Sequence, residues 1–345
     1  MSTTSESLPD VEPAGDAQSP LLSVRDLVVT FAVEGGVATA VDGISFDVFP
    51  NEVLGIVGES GSGKSVTALS VMRLVPDPPG KLAGGAIVYK DRDIAALSYE
   101  EMRSIRGNEI AMIFQEPMTA LNPVFTVGMQ VMETVITHEK LHRKEAFERA
   151  VEMLEKVGIP EARARMGDYP HQFSGGMRQR VMIALALICH PTILIADEPT
   201  TALDVTTQAQ ILDLMLELKQ KSGGASILLI THDLAVVAET CQRVVVLYGG
   251  VVQEIGTAEQ IFNTPLHPYT QGLLASLPAM HGDKHDRLHA IPGNVPSILE
   301  LPTGCKFCTR CEKVEERCRT QAPPLYELGA GQQVRCHLME GRGDG

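Results

Sequence analysis

The sequence predicts an α/β fold, on the strength of two apolar runs and one glycine-rich loop. Residues 53–57 (VLGIV) are uninterrupted apolar, and so are residues 192–196, which lead into Asp197 and Glu198 apart from the opening Thr192. Runs of this length suit strands buried on both faces of a parallel sheet. The first run leads into GESGSGKS at residues 58–65, and a helical pattern follows from Lys64 through Val75. Strand, glycine-rich turn and helix in that order make a phosphate-binding loop. Gly58, Gly61 and Gly63 let the backbone wrap an anion with its N–H groups inward, and the helix N-terminus adds positive dipole. Glu59, Ser60 and Ser62 complete the loop. Lys64 is suited to reach β- and γ-phosphates, and the Ser65 hydroxyl to ligate Mg²⁺.

The other elements follow along the chain. Residues 1–20 are rich in Ser, Pro and Ala, with four acids and no basic residue, and predict a disordered acidic tail. LLSVRDLVVTF and ISFDVF then alternate like half-buried strands. A helical insert is expected over about 100–178. Within it Phe147, Ala150, Val151, Leu154 and Val157 form one apolar stripe, and Gly158 ends the helix. The strand at 192–196 would deliver Asp197 and Glu198 to the ligand crevice of an open sheet. There Asp197 can hold Mg²⁺ through water, and Glu198 can polarise the water that attacks a γ-phosphate. A helix over 205–221, a strand over 226–230 and the hairpin RVVVLYGGVVQEIG complete the pattern.

FSGGM at residues 173–177 narrows the class. Ser174, Gly175 and Gly176 at a helix start make a second anion-binding concavity, for which a chain with one phosphate loop has no local use. From about residue 22 to residue 262 the sequence now resembles the ATP-binding cassette (ABC) ATPases. That resemblance implies a nucleotide-binding domain over 21–262 with a RecA-like core, an antiparallel β subdomain and a helical subdomain. It also implies ATP and Mg²⁺ as ligands. FSGGM then matches the signature sequence, which contacts the γ-phosphate held by the opposite subunit. Gln115 matches the Q-loop glutamine and a further Mg²⁺ contact, Ala202-Leu203-Asp204 the D-loop, and His232 the switch histidine. Phe31 matches the aromatic that stacks on adenine. Phe173 and Met177 replace the Leu and Gln of the usual signature but leave the Ser-Gly-Gly nest intact. The resemblance implies two ATP molecules sandwiched between facing cassettes, with Glu198, His232 and Gln115 serving hydrolysis. Gln115 and the apolar Met118, Leu121, Val124, Phe125 and Met129 would couple to a permease loop, or form core of the helical insert.

The segment 263–345 is a small C-terminal extension. TPLHPYTQGLLASLP, IPGNVPS and GCKFCTRCEKVEERC resemble the extension of oligopeptide, dipeptide and nickel import ATPases. That subfamily implies a peptide importer, with nickel import as the alternative. Its partners would be a second, related ATPase, two membrane permeases and an extracytoplasmic binding protein. Five of seven cysteines fall here, at 305, 308, 311, 318 and 336. In a cytosolic chain that density favours a metal or cluster over disulfides. Four thiolates suit a 4Fe-4S cluster or, next, tetrahedral Zn²⁺, and reduced structural cysteines are the third reading. By position Cys305, Cys311, Cys318 and Cys336 match the cluster ligands of subfamily members, and Cys308 is a bystander or a substitute ligand. Cys189 and Cys241 sit in apolar settings as ordinary core residues.

Composition excludes several classes. A net charge of −14 argues against generic binding to nucleic acid or acidic membrane. The longest apolar run, residues 181–189, falls short of the roughly 20 residues that span a bilayer. With no basic and apolar leader at the start, the chain is expected on the cytoplasmic face of the membrane, held by its permeases. A soluble ABC ATPase acting on nucleic acid or ribosomes is the rival from another class. Such proteins usually carry two cassettes or a long coiled coil between phosphate loop and signature, and this chain carries neither. A regulatory subunit without hydrolysis is disfavoured by the presence of both Glu198 and His232.

Overall fold

A computed structural model describes residues 19–116, 120–200, 205–221, 224–277 and 291–342. The expected tail before residue 19, Met118 and the D-loop triad with Asp204 lie outside these residues. In chain order the strands are β1 (Leu22–Val33), β2 (Gly36–Val48), β3 (Val53–Val57), β4 (Gly80–Tyr89), β5 (Arg92–Asp93) and β6 (Ile110–Ile113). β7 (Ile193–Asp197), β8 (Ser226–Ile230), β9 (Arg243–Tyr248), β10 (Val251–Thr257), β11 (Tyr326–Glu327) and β12 (Gln333–Val334) follow. They form a four-stranded antiparallel sheet, β2-β1-β4-β5, and an eight-stranded sheet, β11-β12-β10-β9-β3-β8-β7-β6.

In the large sheet β3 runs parallel to both β8 and β9, and β7 lies between β8 and β6. The apolar runs are continuous because both faces are covered. Leu54 and Ile56 of β3, Ile193 and Ile195 of β7, and Leu228 and Ile230 of β8 pack with Leu22, Val24 and Ile44 of the antiparallel sheet. The alternate residues Val53, Val57, Leu194, Ala196, Ile227 and Leu229 turn to the opposite face and meet the helices. Each such side chain, once fully buried, contributes about 1.5–3 kcal/mol. This double-sided core fixes the strand ends from which the site projects.

The helical insert contains helices Tyr99–Ile105, Val127–His138, Arg143–Lys156 and Ala162–Arg165, and the helix Gly175–Leu187 runs past the expected boundary at 178. On Arg143–Lys156 the buried face is Ala146, Ala150, Val151, Met153 and Leu154, with Phe147 half-buried. Gly158 ends it at φ 77°, a conformation natural to glycine. Gly175–Leu187 has no polar face over its second half, and Val181 to Leu187 are almost entirely buried, as befits a helix inside the core.

Two expectations are corrected. The helix from Lys64 ends at Val71 rather than continuing to Val75. Arg73 adopts a left-handed φ of 49°, and Val75 precedes Pro76, which disfavours helical geometry. The exposed carbonyls of this early end are taken by Arg106, whose Nε and Nη2 donate to Met72 O and Arg73 O, each at 2.7 Å. The β9–β10 hairpin, turned at Gly249 and Gly250 with φ 58° and 79°, does not finish the sheet. β12 pairs antiparallel with β10, matching Glu254 to Val334, and β11 pairs with β12. The C-terminal extension therefore continues the core sheet. Its Phe307 is buried against Tyr248 and Tyr269, with ring centroids 5.3 and 5.2 Å away. Among the described residues no helix is long and apolar enough to cross a membrane.

Candidate functional site

The phosphate loop joins the end of β3 to the helix Lys64–Val71. Gly58 (φ 153°), Gly61 (φ 79°) and Gly63 (φ 99°) all take the backbone where L side chains are strained. Gly58 has a second reason to lack a side chain, since a Cβ there would lie 2.2 Å from Leu247 O. A Cβ on Gly63 would lie 2.7 Å from Ala40 O. Lys64 is buried, and its Nζ donates to Gly58 O at 2.7 Å and Glu59 O at 3.0 Å. Burial lowers its pKa, opposed by the charges of Glu198, Asp197 and Glu59. Among the described residues Ser62 Oγ is buried without a hydrogen-bond partner. A glycine-rich turn at a helix N-terminus, a buried ammonium and a buried hydroxyl together fit the phosphates of a nucleotide.

Across the crevice, Ser65 Oγ donates to Asp197 Oδ1 at 3.0 Å. Burial raises the Asp197 pKa and Glu198 adds to it, while the Ser65 hydrogen bond opposes the rise. A hydroxyl and a buried carboxylate side by side at the loop suit Mg²⁺, which prefers oxygen ligands and phosphate co-ligands. Glu198 follows with φ 45°, and its N–H donates to Ile230 O at 2.8 Å. Gln115 Nε2 donates to Glu198 Oε2 at 3.0 Å, and His232 Nδ1 lies 3.5 Å from Glu198 Oε1. Three residues far apart in sequence thus meet around one carboxylate. The fold brings them together because β7 and β8 are adjacent and β6 follows β7.

Ser174 accepts the Met177 N–H at 3.3 Å and so caps its helix, while Ser174 and Gly175 are exposed. Among the described residues neither bonds to the chain's own phosphate loop. Phe31 lies half-buried on β1, opposite Ala38 on one side and Gly80 on the other. Asp204 is outside the described residues.

Residues 41–201 match the family described as ABC transporter, and residues 253–318 that described as oligopeptide/dipeptide transporter, C-terminal region. The chain is 51% identical over 325 residues to the oligopeptide transport ATP-binding protein AppD of Bacillus subtilis, covering 94% of this chain and 98% of AppD. It belongs to the oligopeptide/dipeptide family of ABC transporter ATP-binding subunits. This ABC subunit is also 50% identical over 317 residues to the dipeptide transport ATP-binding protein DppD of Escherichia coli, covering 92% of the chain and 96% of DppD. Its fold matches the cassette MJ0796, solved as a post-hydrolysis dimer with ADP and Pi, at TM-score 0.62 and 28% identity. That match covers 69% of the subunit and 98% of MJ0796. The subunit is an ATPase.

The five cysteines of the subunit's extension line one small enclosure together with His267, Phe307 and His337. All are free thiols. Burial pushes the Cys305 thiol up to about 12 and raises Cys308, Cys311 and Cys336, each also feeling neighbouring thiols. Among the described residues no three His, Cys, Asp or Glu side chains converge as a single ion would require.

Sequence reasoning missed three residues that brace the candidate site. Buried Gln179 donates from Nε2 to Pro199 O at 2.5 Å, tying the signature helix to the turn after Glu198. Tyr269 and Arg310, both from the extension, reach Glu59 in the phosphate loop. A polar residue inside an apolar helix was a readable hint for Gln179; the other two contacts carry no local signal.

Proposed function

We propose that this subunit energises import of peptides through two membrane permeases fed by an extracytoplasmic binding protein. It would sit at the cytoplasmic face of the membrane, opposite a second, related ATPase. The observation that carries the solute class is the extension. It matches the oligopeptide/dipeptide C-terminal region, in a chain about half identical to relatives named for oligopeptide and dipeptide transport. Those names mention peptides and not nickel. In this reading ATP is cradled by residues 58–65, with Phe31 against adenine. Ser65, Asp197 and Gln115 would hold Mg²⁺, which would neutralise phosphate charge. Glu198 orients and deprotonates the attacking water, and His232 and Gln115 hold the carboxylate and sense the γ-phosphate. Ser174, Gly175, Gly176 and Asp204 serve the facing cassette. Closure over two nucleotides favours one permease state, and loss of the γ-phosphate contacts releases it.

Proteoliposomes carrying the complete complex test this. Peptide-loaded binding protein is expected to raise ATP turnover severalfold and drive labelled peptide inward. Stimulation by nickel and not by peptides would overturn the solute assignment.

We further infer that Cys305, Cys311, Cys318 and Cys336 hold a 4Fe-4S cluster, with Cys308 beside it. What supports this is five thiols around one enclosure, free of disulfides, in a segment with few large apolar residues of its own. Bound there, the cluster would supply folding energy to the extension. Anaerobically purified protein is expected to be brown, with about four irons per chain. Cys311→Ser should lose the iron and Cys308→Ser should keep it. Stoichiometric zinc without iron would overturn the assignment.

A further inference from the structure

Glu59 places a negative charge in the loop it occupies. A phosphate loop must accept a polyanion, and this one carries a carboxylate of its own at its second position. The structure shows how that charge is handled. Arg310 forks onto it, with Nη1 at 2.5 Å from Oε2 and Nη2 at 3.1 Å from Oε1. The Arg310 side chain is only 5% exposed, against 29% for that of Glu59. Its Nε donates to Pro292 O at 3.1 Å, and its plane lies over the Tyr248 ring, 5.8 Å from the centroid. The other two handles on Glu59 are also taken. Its N–H donates to the Tyr269 hydroxyl at 2.9 Å, and its carbonyl accepts from Lys64 Nζ. Side chain, amide and carbonyl of one residue are thus each held, two of them by the C-terminal extension.

We propose that Arg310 is a positioning residue of the ATP site, which neutralises Glu59 and fixes the opening of the phosphate loop from the C-terminal extension. Bidentate Arg–carboxylate pairs fix geometry as well as charge, and a partly desolvated pair loses far more on removal of one partner than an exposed one. Glu59 freed of its partner would repel the incoming phosphates and let the loop start move. The loss therefore falls on nucleotide binding, not on the water-activating step at Glu198.

The proposal rests on residues 58–65 being the nucleotide site, which MgADP binding by the unaltered chain checks first. Binding is then measured by titration calorimetry on the full-length chain, and ATP kinetics on the complete complex. Arg310→Met is expected to weaken MgADP binding about tenfold, which corresponds to about 1.4 kcal/mol. KM for ATP should rise by a similar factor, with kcat within about twofold. Adding Glu59→Gln to Arg310→Met should restore most of the affinity, because the uncompensated charge is gone. A role confined to packing, or one exerted through the neighbouring cysteines, would show no such rescue. Should Arg310→Met fail to fold, Arg310→Lys serves instead, with a smaller loss and the same rescue. Unchanged affinity in the folded variant, or a loss that Glu59→Gln does not repair, would overturn the proposal.

Discussion

Replacing Glu198 by Gln is expected to reduce ATP turnover of the assembled complex by about 100- to 10,000-fold, the range associated with loss of a general base. Nucleotide should stay bound. The two outcomes separate because different atoms do the two jobs. In the proposed reading the loop amides, Lys64 and Ser65 would hold the phosphates, and they are untouched by the change. The backbone at Glu198 is fixed by its own N–H to Ile230 O, so an isosteric amide keeps the φ of 45° and the site's shape. Gln115 and His232 face different oxygens of Glu198, so the amide keeps an oxygen for one of them, and that oxygen no longer takes a proton. Cassettes that close on ATP and cannot hydrolyse it should remain closed. Single-turnover hydrolysis and retention of labelled ATP on the purified complex measure both effects, and near-normal turnover would remove Glu198 from its role.

Ser174→Arg should abolish hydrolysis at the facing site while this chain still binds its own nucleotide. The structural cost is small: loss of the Ser174 cap on Met177 N–H is worth about 1 kcal/mol. The functional cost is large, since an exposed nest of N–H groups becomes covered by a long cationic side chain just where a phosphate from the partner would dock. Turnover of the complex is expected to fall at least tenfold, a loss of about 1.4 kcal/mol or more in transition-state stabilisation. Full activity of the variant, or of the isolated wild-type chain at high dilution, would count against a site shared between two cassettes.

Much of this was readable before any coordinates. β3, β7 and β8 were legible because parallel strands covered on both faces must be apolar at every position. The helix Arg143–Lys156 was legible from its stripe and its Gly158 stop. Gln115, Glu198 and His232 were recognisable as a set through family resemblance, but only the sheet order explains why they meet. Two things were not visible. The helix after Lys64 stops at Val71 because of a left-handed Arg73 and an Arg106 cap from a distant element, neither of which leaves a periodic trace. β12 joins the core sheet through two residues, Gln333 and Val334, far too few to display an alternating pattern. Contacts such as Arg310 to Glu59 depend on that docking and were hidden with it.

The pairing of β12 with β10 also bears on what becomes of the chain without its last segment. Besides the Glu254–Val334 ladder, Arg335 donates its backbone N–H to Gln253 O and its side-chain Nε to Val252 O. These groups of β10 are met by the extension. A chain cut after the β9–β10 hairpin would present them as an open, apolar border, a ready template for a strand from another molecule. In the intact subunit the border moves outward to β11, two residues long and preceded by Pro323 and Pro324, which offers an intruding strand almost nothing to pair with. The extension would thereby leave the cassette a short border that offers another molecule little to pair with.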